Sequence, residues 1–273
     1  MAMQWHISDY INPVTIQRYK TLVSSILPKA KVSNDISLSG SHLLFFHPVT
    51  TALSEDGYYS YQTPGAILKR EVPFRRRMWV QGSIEFKKSL TDGWYNCQEE
   101  LKFIKELNKD HFVGLKRTIR DQKGYLYVKE LRTLIYTNQK VSDKVITKSE
   151  DYSTREIINL ADIDVMVYSS ISSNPHRIHW DRDYSRNVEG YRDVIVQGPF
   201  LVQLVINYFE QCFGRQVSSI KYKNTSHVYA GTDLEICHNG LGKDGQISII
   251  LRDPKDSHKV YFECKIASYI HIE

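Results

Sequence analysis

The chain has 273 residues, of which 41% are hydrophobic and 25% are charged, so it can bury one large core or two small ones. The net charge is only +5, and the basic residues are dispersed among acidic ones. This pattern disfavours a nucleic-acid-binding protein but allows an acidic partner. No apolar stretch is long enough for a membrane helix, and the N-terminus lacks the basic leader and apolar core of a secretion signal. We therefore expect a soluble protein without membrane insertion.

The N-terminal half contains several strand-like segments. "GSIEFKKSLTDGWYNCQEELKFIKEL", "HFVGLKRTIRD" and "YLYVKELRTLIY" are rich in β-branched and aromatic residues and are separated by turn-forming residues. A polar stretch, "NQKVSDKVITKSEDYSTRE", follows at residues 138 to 156. Charged and small residues replace the apolar periodicity there, which predicts a boundary between two units, 1–145 and 146–273.

The C-terminal half begins with "REIINLADIDVMVYSSIS", which we interpret as a helix that leads into a polar loop. The later segment from Phe200 to Phe213 is apolar on nearly every face, so it predicts a buried helix. Gly198 and Pro199 are favourable at its start, because a proline in the first turn loses no helical hydrogen bond. The runs "SSIKYKN", "DLEICHNG", "QISIILRD" and "KVYFECKIASYIHI" then predict strands. A sheet formed by these strands could wrap around the helix, as in a hotdog fold.

An internal repeat indicates that this arrangement occurs twice. Ile84 and Phe86 of the first half correspond to Ile220 and Tyr222 of the second half. Weak self-similarity of this kind indicates duplication of one unit. We predict an α+β double hotdog, with two tandem units that each wrap an antiparallel sheet around a central helix. The first unit has no "NPHRIH" segment, so we assign it a structural or substrate-cradling role.

The segment "SSNPHRIHWD", residues 172 to 181, concentrates the polar residues of a candidate site. His176, His179 and Asp181 could bind zinc, but an H-x-x-H pair needs a third ligand at a defined position and a glutamate base is missing. We therefore predict no metal and no other cofactor. A solvated polar loop is a second interpretation. The third is general base catalysis, because the pKa of histidine lies near neutral pH.

The start of the downstream helix supplies a complementary group. A free N–H at a helix N-terminus stabilises negative charge that develops on a carbonyl oxygen. Pro199 has no N–H, so the donor would be Gly198 or a residue just after the proline. A base and an oxyanion donor together can remove a proton alpha to a carbonyl, and a thioester is a natural substrate class for this reaction.

Residues 168 to 204, "YSSISSNPHRIHWDRDYSRNVEGYRDVIVQGPFLVQL", resemble the hydratase motif of the MaoC-like, double-hotdog (R)-specific hydratase and dehydratase family. "FHPVTTALSEDGYY" and "VPFRRRMWVQGSIEF" are similar to N-terminal segments of the same family, in particular of its yeast mitochondrial 3-hydroxyacyl-thioester dehydratases. This resemblance implies dehydration of (3R)-3-hydroxyacyl thioesters in mitochondrial fatty acid synthesis. It also implies an acyl carrier protein or CoA as the thioester partner, and a monomeric pseudo-dimer or a homodimer.

The resemblance also implies roles for individual residues. Alignment of Tyr168 with the family's tyrosine brings the catalytic histidine to His179 and the usual catalytic aspartate to Asn174. An asparagine cannot act as a base, but it can orient water or the leaving hydroxyl. We therefore predict that His179 alone takes the C2 proton and returns it to the C3 hydroxyl. His176 is a rival base or a substrate-binding residue, and Gly198 is the oxyanion donor.

Three further features complete the predictions. Arg75, Arg76 and Arg77 are interpreted either as a solvated strand end or as an anchor for the phosphopantetheine phosphate or an acidic carrier surface. Gln197 is expected to pack or to cap at the helix start. Two other functions remain open at this point: hydration of branched or dicarboxylic acyl-CoA such as mesaconyl-CoA, and thioester binding without catalysis.

Overall fold

The computed structural model describes residues 3–27, 39–50, 52–142 and 151–269. Within these residues, ten strands form one antiparallel sheet. The strands are β1 Gln4–Ile11, β2 Arg76–Phe86, β3 Gly93–Leu107, β4 Asp110–Asp121, β5 Leu126–Thr137, β6 Thr154–Asn159, β7 Val217–Asn224, β8 Asp233–His238, β9 Gln246–Arg252 and β10 Val260–Ser268. The α-helices are α1 Pro13–Ile26, α2 Pro64–Leu68, α3 Asp162–Ile171, α4 Arg182–Tyr184 and α5 Gly198–Phe213.

The sheet consists of two five-stranded halves. Its order is β1-β3-β4-β5-β2-β7-β10-β9-β8-β6, so the contact between β2 and β7 joins the halves. Ile84 lies opposite Ile220 in this antiparallel pair. The same two residues correspond in the internal repeat, which is the relation expected when a two-fold axis passes between duplicated units. The predicted double hotdog is confirmed. The unit boundary near residue 145 stays a prediction, and residues 143–150 lie outside the described residues.

Helix α5 is the central helix of the core. Its residues from Phe200 to Phe209 are all buried, as its apolar sequence predicts. It contacts both β2 and β7, so one helix serves both halves of the sheet. The helix directly before β2, by contrast, is the five-residue α2. The helices that precede β2 and β7 are therefore of unequal length.

One predicted helix is shorter than the sequence indicated. Residues 154–159 form β6, which pairs with β8, and only residues 162–171 are helical. The strand alternates, since Ile158 is buried while Ile157 is exposed. The side chain of Asp164 accepts the backbone N–H of Ala161, which fixes the start of α3 at Asp162. In the first third of the predicted helix, pairing with β8 therefore stabilises a strand, although the apolar pattern there also fits a helix.

The first strand and helix are additional elements that the sequence analysis did not identify. Strand β1 pairs with β3 along its whole length. Asn12 caps α1 by accepting the Thr15 N–H at 2.8 Å, and Pro13 occupies the first helical turn. Helix α1 follows β1 as α3 follows β6, which extends the duplication to the N-terminus.

The remaining bulk properties concern the helices and cysteines. None of the helices in the described part of the chain has the length and apolar character needed to cross a membrane. The four cysteines are free thiols. Cys97, Cys237 and Cys264 are buried, whereas Cys212 is only half-buried.

The contact between the halves should dominate stability. Ile220 is fully buried where β2 meets β7, so Ile220→Ala should lower the free energy of unfolding by about 2–5 kcal/mol through lost burial and a new cavity. Ile157→Ala is the matched control, because Ile157 is 61% exposed in a strand, and it should change stability by about 0.5 kcal/mol or less. Urea denaturation followed by circular dichroism measures both. Equal effects of the two substitutions would contradict this account of the core.

Candidate active site

A cavity of about 390 Å³ lies between the two halves of the sheet. The C-terminal half contributes Asn174, His176, His179 and Gly198 to its wall, and the N-terminal half contributes strand residues including Arg76. The polar loop and the start of the central helix, which were predicted to act together, therefore face one space. A second, more open groove on the α3 side also reaches Asn174 and His179.

The loop that carries the histidines is held by local hydrogen bonds. Helix α3 ends at Ile171, and the Asn174 N–H donates back to the Ser169 carbonyl at 2.9 Å. Ser173 adopts a left-handed conformation with φ of 47°, which turns the chain away from the helix axis. A 3₁₀ turn, Arg177–His179, then places His179 against the cavity.

The orientation of His179 is fixed by the chain that leads into α5. Its Nδ1 lies 2.7 Å from the carbonyl oxygen of Ile195. Because a carbonyl can only accept a hydrogen bond, Nδ1 carries the proton and Nε2 keeps a free lone pair. Burial lowers the pKa of His179 to about 4, and the bond to Ile195 opposes this shift only partly. At neutral pH the ring is therefore an uncharged base.

Of the backbone N–H groups at the start of α5, only that of Gly198 fits the predicted oxyanion donor. The N–H groups of Phe200 and Leu201 both donate to the Gln197 carbonyl, and Pro199 has none. Gly198 is the first residue of α5, so its N–H has no acceptor within the helix, and no acceptor occurs for it elsewhere in the described residues. A side chain at this position would meet Asn224 at 2.9 Å. The glycine thus leaves room beside a free N–H.

The side chain of Gln197, the residue before α5, packs against α3 and does not cap α5. Its side chain is fully buried, and Nε2 donates to the Val165 carbonyl at 2.8 Å and to Ser169 at 2.7 Å. These bonds attach the start of α5 to α3. No side-chain hydrogen bond caps α5, so the packing interpretation fits and the capping interpretation is wrong.

Asn174 has a local structural contact in addition to its place at the cavity. Its Oδ1 accepts the backbone N–H of His176 at 3.2 Å. This Asx-type contact stabilises the turn that precedes the histidines. An aspartate at this position could accept the same bond, so the asparagine retains the geometry of the motif without its charge.

His176 lies beside His179 and faces two carboxyl groups. The ring centroids of the two histidines are 5.3 Å apart at 85°. Nε2 of His176 lies 3.6 Å from Oδ2 of Asp56 and 3.6 Å from Oε1 of Glu189. Burial lowers the pKa of His176 well below its usual value, and His179 and Arg77 add to this effect.

Asp56 and Glu189 were not identified as site residues from the sequence. They lie 133 positions apart in "SEDGYY" and "NVEGYRDV", and no spacing rule connects them. Only the fold brings both against His176.

The three arginines connect the two halves. Arg75 donates to the Val188 carbonyl at 2.5 Å, and Arg76 donates to the Glu189 carbonyl at 2.6 Å. Arg77 binds both carboxylate oxygens of Asp56, at 2.5 and 3.1 Å, and the Tyr59 carbonyl at 2.9 Å.

Two predictions about these arginines require correction. Arg76 and Arg77 are 2% and 3% exposed, so they are not a solvated strand end. The guanidinium of Arg77 is occupied by the buried pair with Asp56, so its predicted phosphate-binding role does not fit. Arg76 retains a nitrogen, Nη2, without a hydrogen-bond partner among the described residues, and Arg75 is exposed. A substrate-binding role for Arg75 and Arg76 stays a prediction.

Asp181, a candidate metal ligand in the sequence, has other partners. It accepts the Tyr184 N–H at 2.9 Å and pairs with Arg177 at 2.8 Å. It therefore caps the short helix α4 and holds the arginine that separates the two histidines. Among the described residues, no group of three His, Cys, Asp or Glu side chains could hold a metal ion.

The fold and the cavity together define a class of protein. A solved structure of a MaoC-like dehydratase from Phytophthora capsici has the same fold, with a TM-score of 0.73 at 14% identity over 99% of this chain and 96% of that chain. HtdX of Mycobacterium tuberculosis is similar, with a TM-score of 0.70 at 12% identity over 98% and 100% of the two chains. The chain thus has the double-hotdog fold of these proteins.

Sequence comparison identifies the family within this class. The model of the hydroxyacyl-thioester dehydratase type 2 family matches residues 40–230, and the chain belongs to this family. It is 32% identical to the mitochondrial hydroxyacyl-thioester dehydratase type 2 of Saccharomyces cerevisiae, over 96% of this chain and 98% of that protein. The Schizosaccharomyces pombe protein of the same name is 24% identical, over 89% and 92% of the two chains.

Gly57 offers a test of how the N-terminal half positions the catalytic loop. A Cβ there would lie 2.6 Å from the Pro175 carbonyl, and φ is 81°. Gly57→Ala should therefore displace the loop and lower turnover by tenfold or more, since roughly 1 Å of misplacement can cost about 100-fold.

Gly124→Ala is the matched control for this substitution. Gly124 has a similar φ of 86°, but a Cβ added there would meet none of the described atoms within 4 Å. The left-handed backbone alone should cost each variant about 1–2 kcal/mol of stability, and the contact with Pro175 should add to this cost only in Gly57→Ala; thermal unfolding measures both. If turnover of the two variants fell equally, contact with Pro175 would not be the reason.

The prediction that His179 is the general base implies a specific pH dependence of activity. Because the base must be unprotonated, kcat/KM should fall as pH decreases through about 4, not through 6.5. A pH profile between roughly 3.5 and 7.5 tests this, with the enzyme returned to neutral pH after each exposure to exclude unfolding. A midpoint near the ordinary histidine pKa would show that His179 is not the buried neutral base described here.

Proposed function

We propose that this protein dehydrates (3R)-3-hydroxyacyl thioesters to trans-2-enoyl thioesters and water. The observation that carries the proposal is the shared cavity. It brings together an uncharged imidazole with a free Nε2 and an unoccupied helix-start N–H. These are the two groups that an alpha-proton abstraction requires.

The reaction would begin with the thioester carbonyl at the Gly198 N–H. This donor stabilises the negative charge that develops on the carbonyl oxygen as the C2 proton leaves. His179 accepts that proton at Nε2, while Ile195 holds Nδ1–H and stabilises the resulting imidazolium. The C2–C3 double bond then forms as the C3–O bond breaks, and the departing hydroxyl takes the proton back from Nε2 of His179 and leaves as water.

Asn174 orients a hydroxyl or a water in the cavity and transfers no proton. It lines the cavity next to His176 and His179, and its amide can donate to a hydroxyl or a water. The carboxylate that the family motif usually carries at this place is missing. His179 is therefore the base in this variant of the site.

The wall of the cavity also supports an acyl chain as the occupant. Leu134, Ile178 and Leu201 contribute apolar surface. The cations Arg77 and Arg132 are each bound bidentately by an internal carboxylate, Asp56 and Glu130 respectively. Neither of them is free for the second carboxylate of a substrate such as mesaconyl-CoA, and the third lining arginine, Arg76, is proposed to contact a phosphate instead.

The carrier of the acyl chain and the cellular setting are part of the same proposal. Arg76 lines the cavity and its buried Nη2 has no hydrogen-bond partner among the described residues, so Arg76 and the exposed Arg75 could contact the phosphate of a phosphopantetheine arm. Acyl carrier protein or CoA would present that arm. Both yeast relatives are named as mitochondrial, and we place the reaction in mitochondrial fatty acid synthesis.

Replacement of the base tests the proposed function. With (3R)-3-hydroxyacyl thioesters of several lengths on acyl carrier protein and on CoA, His179→Ala should lower kcat by about 10²–10⁴-fold. His6→Ala is the matched control, because His6 is an exposed histidine on β1, and it should retain full activity.

Two outcomes would contradict the proposal. Near wild-type turnover of His179→Ala with an unchanged thermal unfolding profile would remove His179 as the base. If the wild-type protein bound enoyl thioesters but neither hydrated crotonyl-CoA nor dehydrated any hydroxyacyl thioester, it would be a binding protein instead.

A further inference from the structure

A buried carboxyl group next to the cavity has no role in the reaction described above. Glu189 is 0% exposed, and neither of its carboxyl oxygens has a hydrogen-bond partner among the described residues. Its Oε1 lies 3.6 Å from Nε2 of His176, which also lacks a hydrogen-bond partner there. Burial of unsatisfied polar atoms is costly, so such atoms in a native site call for a functional reason.

The backbone holds Glu189 in this position with specific contacts. It ends a π-helical turn, Ser185–Glu189, and Gly190 follows with φ of 84°. Turns of this type are rare and frequently occur at functional sites. The Glu189 carbonyl accepts a 2.6 Å bond from Arg76 of the other half of the sheet. The carboxyl group is thus placed against His176 by elements of both halves.

The protonation states of the two groups are complementary. Burial and the nearby Asp56 raise the pKa of Glu189 to about 8, so it is a neutral acid at pH 7. His176, with its lowered pKa, is a neutral imidazole. A neutral carboxylic acid can donate its O–H to a neutral imidazole nitrogen. A movement of about 0.6 Å would bring the two atoms to the roughly 3.0 Å of such a bond.

We infer that Glu189 and His176 form a proton relay that protonates the departing C3 hydroxyl, in place of the carboxylate missing at Asn174. This inference rests on the proposed function. His176 lines the cavity beside His179, so the two rings can serve different atoms of one substrate. His179 then need not carry the same proton from C2 to the hydroxyl, as the sequence predicted.

The relay balances in protons and electrons. The Glu189 O–H proton moves to Nε2 of His176, and the Nδ1 proton of His176 moves to the C3 oxygen. The C3–O bond breaks and water leaves, while the electron pair of the C2–H bond forms the double bond. His179 retains the C2 proton, so the cycle ends with an imidazolium and a carboxylate. The His179 proton passes through solvent to Nδ1 of His176, and the Nε2 proton of His176 returns to Glu189, which restores the starting state of all three groups.

The decisive variant is Glu189→Gln, which keeps the shape of the side chain and removes the transferable proton. Turnover of a (3R)-3-hydroxyacyl-CoA should fall by about 100-fold, the low end for general acid catalysis, with KM within threefold. The matched control is Glu235→Gln, which removes a carboxylate bound to Arg252 on the distant strands β8 and β9. It should retain wild-type kinetics.

Two further readouts separate a relay from a structural role. In the wild type, kcat should decrease as pH rises through about 8, because Glu189 loses the proton that it must donate. This alkaline decrease should be absent in Glu189→Gln. The double variant Asn174→Asp with Glu189→Gln should recover at least tenfold of the lost turnover, because it restores a carboxyl group at the family's usual position.

The inference is overturned if Glu189→Gln stays within threefold of the wild type, if its alkaline decrease persists, or if the double variant recovers nothing. Should Glu189→Gln fail to fold, His176→Gln is measured in the same way and must show the same loss of turnover and of the alkaline decrease. A wild-type protein that dehydrates no hydroxyacyl thioester overturns the proposed function instead.

Discussion

The geometry of the site depends on one buried ion pair, that between Asp56 and Arg77. Both side chains are 3% exposed, and two nitrogens of the guanidinium bind two oxygens of the carboxylate. Removal of one partner from such a pair typically costs about 3–5 kcal/mol, because the other charge stays buried. The Asp56 carbonyl also accepts the Arg177 N–H at 2.9 Å. The pair therefore holds the catalytic loop of one half against a strand of the other.

This constraint explains how a half without a catalytic motif contributes to the site. The N-terminal half supplies the turn with Asp56 and Gly57 and the strand with Arg76 and Arg77. These groups touch the catalytic loop and the π-helical turn of the C-terminal half. The N-terminal half thus positions parts of the site, and the structural or substrate-cradling role assigned to it stays a prediction.

The two halves also differ in how they use buried charge. In the N-terminal half, Arg117 contacts Glu99 and Glu130, and Glu130 binds Arg132 bidentately. Fully paired charges of this kind are structural and hold their sheet in one arrangement. Glu189 in the C-terminal half has no such cation within hydrogen-bond distance among the described residues. Both of its carboxyl oxygens lack a hydrogen-bond partner among those residues, and it lies next to His176.

The sequence predicted those parts of the structure whose pattern is local. Helix α5 is apolar on nearly every face and begins with Gly198 and Pro199. Both its burial and its start could therefore be predicted. Strands β7 to β10 follow from alternation and turn residues. The segment that forms β6 was predicted to be helical, because its apolar residues fit a helix. Only its pairing with β8 shows that it is a strand.

Contacts between distant segments could not be predicted. His179 and Gly198 were found because a motif connects them, and the structure places both on one cavity. Asp56 and Glu189 lie in loops whose positions are set by arginines of β2. The sequence predicted the same arginines to be either a solvated strand end or an anchor for a phosphate or an acidic carrier, since a charge run gives no sign of which carboxylates or carbonyls it will meet in the folded chain.

The most direct test of the account is a crystal structure with a stable analogue, a (3R)-3-hydroxyacyl pantetheine in which an amide replaces the thioester. We predict that the amide oxygen lies about 2.7–3.1 Å from the Gly198 nitrogen and that C2 lies roughly 3–3.5 Å from Nε2 of His179. The C3 hydroxyl should face His176. An analogue bound with its carbonyl away from the start of α5, or with C2 out of reach of His179, would contradict the central claim.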